Sequence, residues 1–286
     1  MSYIQPFDPW KSPLCTCPPK FSLNPYTGCA HACLYCYATS FIKNFYIPRI
    51  KKNFISQIKK EILKLPQNAL VSLSNSSDPY QPLEKIYKHT RLFLNLIKNY
   101  RKDLRILIIT KSSLVVEDLD ILKELKCAVS ITITSKNLAK ILEPGAPPFE
   151  ERIKALKILK KHGIPLSVRI DPVIPQINEY EVFEVFDAIK DLALHITVSS
   201  YKAKPDSLKR LYMAFPEKKE ILKKLYLKEG VKISGSIYLS EKRRKNLIYP
   251  LLELAKKQGI SFATCREGIK EFVNPGKCDG SFLIIA

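Results

Sequence analysis

The stretch Cys29-Ala-His-Ala-Cys-Leu-Tyr-Cys36 sets three cysteines at C-x3-C-x2-C spacing. Thiolates are soft donors and bind iron–sulfur clusters and zinc well. Three of them in so short a loop serve one metal centre and leave a fourth coordination position open, unless His31 or a distant residue fills it. Open positions are where substrates meet metals. Of the other five cysteines, Cys127 begins an apolar run and reads as a small buried hydrophobe. Cys15 and Cys17 lie near one terminus, Cys265 and Cys278 near the other. Four thiols are what a closed all-thiolate site requires, and chain ends often lie close together. The expectation is a second metal site, an iron–sulfur cluster or zinc. Two disulfides, or unrelated buried thiols, are the alternatives. Pro18-Pro19 after Cys17, and Asn274-Pro-Gly before Cys278, predict turn-forming loops there.

The elements that must position these side chains follow from periodicity. Short apolar, β-branched runs predict strands at Ala69–Leu73, Leu104–Thr110, Cys127–Thr134, Pro165–Ile170 and Leu194–Ser199, with one more near Phe21–Tyr26. Helical patterns lie between them at Lys51–Leu65, Thr90–Tyr100, Glu117–Leu125, Phe149–His162, Glu179–Leu192 and Ser207–Lys228, and an apolar helix start follows the cysteines at Ala38–Ile42. Strand–helix alternation means parallel βαβ units. Six units predict an α/β protein with a partial (β/α)6 TIM-type barrel, whose C-terminal strand ends carry the chemistry. On this reading residues 1–21 are an N-terminal extension, 22–233 the barrel, and 234–286 a C-terminal extension docked on it. That extension has a strand at Ser236–Leu239, a helix at Glu241–Lys257 and an apolar piece at Ile260–Thr264.

The three-cysteine loop, with an aromatic just before its last cysteine, resembles that of the radical S-adenosylmethionine (SAM) superfamily. The resemblance implies a partial barrel of that kind and a 4Fe-4S cluster on Cys29, Cys33 and Cys36. The open iron would chelate SAM, reductive cleavage would give methionine and a 5′-deoxyadenosyl radical, and an electron donor such as ferredoxin or flavodoxin would be required. Further segments are similar to the spore photoproduct lyase-like group: Asn24-Pro-Tyr-Thr-Gly-Cys, Ser77-Asp-Pro-Tyr-Gln-Pro82, Thr110-Lys-Ser112, Leu142-Glu-Pro-Gly-Ala-Pro147 and Pro172-Val-Ile-Pro175. They span most of residues 22–200. Carried over, the pattern implies that Tyr35 packs near the adenine, that Ser76 and Ser77 lie near SAM, that Lys111 faces its carboxylate, and that Ser130 and Thr132 reach its polar groups. Arg169 and Asp171 flank the end of the fifth strand and point toward the same mouth, where the pair either faces cofactor or substrate or closes the barrel. Tyr35 and Tyr37 match tyrosines of a proposed radical relay. Glu143 either holds SAM or forms a structural pair with Arg152. Asn75 stands where the lyase carries its cysteine hydrogen donor, and an amide cannot donate that atom.

Lys and Arg outnumber Asp and Glu by 47 to 27, a net charge of +20. Such a field attracts polyanions, so the expected partner is nucleic acid, DNA or RNA. Modification of a peptide or small molecule is a rival reading, and a non-catalytic cluster-holding or nucleic-acid-binding protein is another. Apolar runs fall far short of the ~20 residues a membrane span needs. The first ten residues lack the basic-then-apolar pattern of a signal peptide, so the expected location is cytoplasmic.

Overall fold

Branched apolar residues at alternate positions become strands, because they fit a pleated surface buried on one side. In the computed structural model, which describes residues 2–7, 12–73, 75–272 and 278–284, these strands are β1 (Ile4–Pro6), β2 (Phe21–Leu23), β3 (Tyr26–Thr27), β4 (Arg49–Ile50), β5 (Leu70–Leu73), β6 (Arg105–Thr110), β7 (Lys126–Thr132), β8 (Leu166–Val173), β9 (His195–Ser200), β10 (Val231–Ile233), β11 (Ser236–Tyr238) and β12 (Ser261–Thr264). Eight of them form one sheet in the order β1-β2-β5-β6-β7-β8-β9-β12. All neighbours run parallel except the edge strand β1, which is antiparallel to β2. This is the partial-barrel architecture expected. The tail does more than dock, since β12 extends the parallel sheet beyond β9.

The two faces of the sheet differ in kind. Val71, Leu73, Ile106, Ile108, Val129, Ile131, Val168, Ile170, Ile196 and Val198 point outward into the main core. Helices pack there, such as Phe54–Ile62, which buries Phe54, Ile58 and Ile62 at four-residue spacing. Each such side chain contributes roughly 1.5–3 kcal/mol of burial free energy. Several inward positions are smaller or polar: Ser72, Ala128, Ser130, Ser167, Thr197. They leave room for the C-terminal segment, where Leu283 and Ile284 pack on Leu70, Leu107 and Ala128. Gly280 has φ +80°, and a Cβ there would come within 2.8 Å of Ser167 Oγ, so the plug passes the strands only with glycine. Thr197 Oγ1 donates to Cys278 O at 2.9 Å. Lys20 and Asp279 form a buried ion pair at 2.5 Å.

Two local expectations fail. After the cysteines there is only a 3-10 turn, Ala38–Ser40. Thr39 turns its hydroxyl to Cys36 O and to Asp206, and the chain continues into the β3–β4 ribbon. The pattern at Ser207–Lys228 is not one helix but Pro205–Ala214 and then Lys219–Lys223 running into a π turn. Pro216 cannot donate an amide hydrogen bond and excludes the helical conformation from Phe215, which has φ −134°, ψ 68°. The turn expected at Asn274–Lys277 lies outside the described residues.

Candidate active site at the strand ends

The cysteine loop follows β3 and is held from three sides. Gly28 (φ +81°) lies where a Cβ would be 2.4 Å from Phe45 O, which brings Cys29 N onto that carbonyl at 2.8 Å. The loop after β5 grips through Gln81, which accepts from Ala30 N and donates to Gly28 O, both at 2.9 Å. The segment after β7 grips through Leu142 O, which accepts from Leu34 N at 2.9 Å, and Gly145 N, which donates to His31 O at 3.0 Å. A Cβ on Gly145 would sit 2.0 Å from Ala30 O, so backbone meets backbone there. Helix Pro205–Ala214 supplies Arg210, whose guanidinium donates to Leu34 O and Cys36 O.

Cys29, Cys33 and Cys36 line one cavity of about 480 Å³ at the C-terminal strand ends, with Tyr35, Tyr37, Ser76, Ser77, Lys111, Thr132 and Arg169. All three are free thiols. Burial raises Cys29 to about 12 and pushes Cys33 and Cys36 up as well. A bound metal would displace their protons. Among the described residues no three His, Cys, Asp or Glu side chains converge as they would around one ion. His31, whose Nδ1 faces Asp78 Oδ2 at 3.4 Å, is not gathered with the three thiols into such a group. An iron–sulfur cluster spreads its ligands over several metals, so three separated thiols on one loop fit a cluster with one open iron.

Lys111 Nζ lies 5.7 Å from the Tyr35 ring centre. Burial opposes its charge, but Cys33, Glu143 and Asp78 around it outweigh burial and raise its pKa. It is therefore a cation suited to a carboxylate in the cavity. Glu143 pairs with Arg152 at 2.5 Å, fully buried, and accepts from the Tyr35 hydroxyl and from Thr134 Oγ1. The pair holds the Tyr35 hydroxyl through Glu143. Ser77 donates to Tyr26 O at 2.9 Å. The backbone N–H groups of Asn75, Ser76 and Ser77 all point to Asn24 Oδ1. Asn75 donates to Ser22 Oγ and Ser72 O, and its own carbonyl accepts from Tyr37. Thr132 reaches the cavity, whereas Ser130 is fully buried one layer below and does not line it. Arg169 donates to Asp171 at 2.7 Å.

Asp78 and Gln81 are the residues the sequence reading passed over. Asp78 accepts from Thr110 Oγ1 at 2.6 Å and Lys111 N at 2.7 Å, so it fixes the lysine's backbone. Both stand in Ser77-Asp-Pro-Tyr-Gln-Pro82, and polar residues each directly before a proline on a strand-end loop were the available signal. Lys202, paired with buried Glu267 at 2.8 Å, also lines the cavity. So do Cys15, Cys17, Cys265 and Cys278.

The profile of the Radical SAM superfamily matches residues 23–189. An uncharacterized protein of Methanocaldococcus jannaschii is 36% identical over 186 residues, 62% of this chain and 68% of its own length. A protein of Pseudomonas phage M6 named radical SAM Nalpha-GlyT isomerase is 24% identical over 85% of this chain and 53% of its own. The chain thus spans little more than half of that relative. Among solved structures, spore photoproduct lyase complexed with dinucleoside spore photoproduct superposes with TM-score 0.65 at 19% identity, over 83% of this chain and 73% of that one. Streptococcus suis SuiB bound to S-adenosylmethionine gives 0.58 at 13%, over 85% and 49%.

Proposed function

Because the chain belongs to the radical SAM superfamily and is an enzyme of that kind, we propose that it abstracts hydrogen from a nucleic-acid substrate in order to modify or repair it. The observation that carries this reading is the cavity at the strand ends, which gathers the three-cysteine loop, a lysine and two tyrosines in one place. Cys29, Cys33 and Cys36 would hold the 4Fe-4S cluster, and Lys111 would take the SAM carboxylate. The cluster supplies the electron for reductive SAM cleavage, and the protein supplies orientation and exclusion of water.

This chain's own residues do the positioning. Glu143 and Arg152 set Tyr35 against Lys111, and Asp78 sets the Lys111 backbone. The net charge of +20 favours a polyanionic substrate, and Lys204 and Arg266 on the cavity wall bring part of that charge to the site, where Arg169 and Lys202 are balanced by Asp171 and Glu267. The amide at Asn75 is tied to Ser22 and Ser72 and offers no transferable hydrogen. That favours a net modification over return of the abstracted hydrogen from that position. Radical modification of a peptide or small molecule is the second reading, favoured by the four additional thiols in the cavity.

The test is anaerobic incubation with SAM, dithionite and sugar-deuterated or base-deuterated DNA or RNA. Deuterium in the 5′-deoxyadenosine is the expected result. SAM cleavage without deuterium transfer from any nucleic acid would remove the substrate assignment. Binding should weaken steeply between 50 and 200 mM salt, by about 10³-fold if roughly six phosphates are contacted.

A further inference from the structure

We propose that Cys15, Cys17, Cys265 and Cys278 hold a second iron–sulfur cluster in the same cavity, an inference that rests on the reading above for its cluster-loading context. The four come from three separate segments. Cys15 and Cys17 lie on the arm between β1 and β2, where Cys15 N bonds back to Ser12 O at 3.1 Å. Cys265 directly follows β12 and bonds its amide to Val198 O at 3.0 Å, which sets it at the C-terminal strand ends. Cys278 begins the segment that fills the barrel interior. Cys278 Sγ lies 3.2 Å from Cys17 Sγ, and Cys15 donates to Cys17 in turn. Cys265 lies within electrostatic reach of both Cys15 and Cys278.

The surroundings suit an anionic centre. Lys20, paired with Asp279, also reaches Cys17 and Cys278; Arg169, paired with Asp171, also donates to Cys265; and Arg266 adds its charge beside Cys265. Cations and N–H donors around ligand sulfurs stabilise thiolate clusters and tune their potential. A lone zinc ion is the rival for the same thiols: it needs its ligands around one point, and although Cys17 and Cys278 lie 3.2 Å apart, the described residues show no group of three so gathered. The Cys29, Cys33, Cys36 set fails that same criterion, so it does not count against a cluster. A Cys17–Cys278 disulfide would leave unexplained why Cys15 and Cys265 meet at the same place. All eight cysteines are free here. The consequence for the fold is that one cofactor would tie the N-terminal arm, the last strand and the interior plug together.

The experiment uses the full chain, reconstituted anaerobically with iron and sulfide. Iron, acid-labile sulfide and zinc are counted, and the reduced protein is examined by electron paramagnetic resonance with and without SAM. About eight irons per chain are expected in the wild type, falling by half in a Cys15/Cys17/Cys265/Cys278→Ser variant and by half in a Cys29/Cys33/Cys36→Ala variant. The reduced signal that survives in the loop variant should ignore SAM, and the one that survives in the terminal variant should respond. Should the fourfold variant not fold, Cys265→Ser and the wild-type spectrum suffice, because SAM should perturb only about half of the wild-type signal. About four irons in the wild type, all lost in the loop variant, would overturn the proposal. So would zinc on the terminal set, or terminal thiols found paired as disulfides by mass. Failure of the enzyme reading looks different: no SAM-responsive signal in the wild type, whatever the terminal cysteines hold.

Discussion

The two groups of cysteines in the cavity are held in opposite ways. Cys29, Cys33 and Cys36 share eight residues of chain, and the backbone of their loop is gripped by the side chains of Gln81 and Arg210 and the backbone of Leu142 and Gly145. Cys15, Cys17, Cys265 and Cys278 are brought from both ends, and the nearest charged tie is the buried Lys20–Asp279 pair, 259 residues apart. A local site can pre-form once its barrel exists, because little loop entropy is spent in gathering it. The terminal group forms only when both ends are in place.

Loss of one loop thiol should give the largest effect. Cys33→Ala should abolish SAM cleavage in the dithionite assay while leaving the far-ultraviolet circular dichroism unchanged, and residual turnover would break the claim that the loop is the active centre. Next come the buried pairs that anchor each group. Glu143→Gln strands Arg152 without its counter-charge, and Lys20→Met does the same to Asp279. Each should cost about 3–5 kcal/mol in urea unfolding. Only Glu143→Gln should also lower the iron retained by a variant lacking the four terminal cysteines. Equal iron loss from Lys20→Met in that background would erase the distinction between the regions.

Lys111→Met should weaken SAM binding by about 1.5–3 kcal/mol, roughly 10- to 150-fold, with the iron content unchanged. Calorimetric titration of the reconstituted protein reads this directly, and an unchanged affinity would move the carboxylate contact elsewhere. The smallest effect belongs to Asp206, which ties Thr39 and Ser40 beyond the last loop cysteine to Arg210. Burial pushes its carboxyl up, but the bonds from Ser40 and Thr39 and the Arg210 charge win and set it at about 2. The folded form therefore gains stability above the ordinary carboxylate value near 4, and that gain is lost as the pH falls from about 4 toward 2. The side chain is about a third exposed, so the contribution is under about 1 kcal/mol. Asp206→Asn should flatten the stability profile in that window, and an unchanged profile would show that the tie contributes nothing.

Much of this molecule was legible because its signals are short-range. Six of the seven parallel strands were visible in runs such as Arg105-Ile-Leu-Ile-Ile-Thr110, whose branched side chains suit a sheet buried beneath helices. The helix at Phe149–Lys161 was visible in its periodicity and in the Gly163 that follows it. The break at Pro216 was legible in principle, since proline acts on its own neighbours. The missing helix after Cys36 was not, because Asp206, more than 160 residues away, takes the Thr39 hydroxyl.

By itself the sequence determined that three thiols sit on one loop at the mouth of a parallel α/β sheet, because both facts depend on spacing and alternation within a few residues. Only the tertiary structure decided that Glu143 belongs to Arg152 and Tyr35, that Ser130 lies beneath the cavity while Thr132 lines it, and that the chain's end fills the barrel. It alone gathered Cys15, Cys17, Cys265 and Cys278 beside the loop. Those outcomes depend on which distant side chains can satisfy a buried charge or fill an interior of small residues, and separation along the chain carries no record of that.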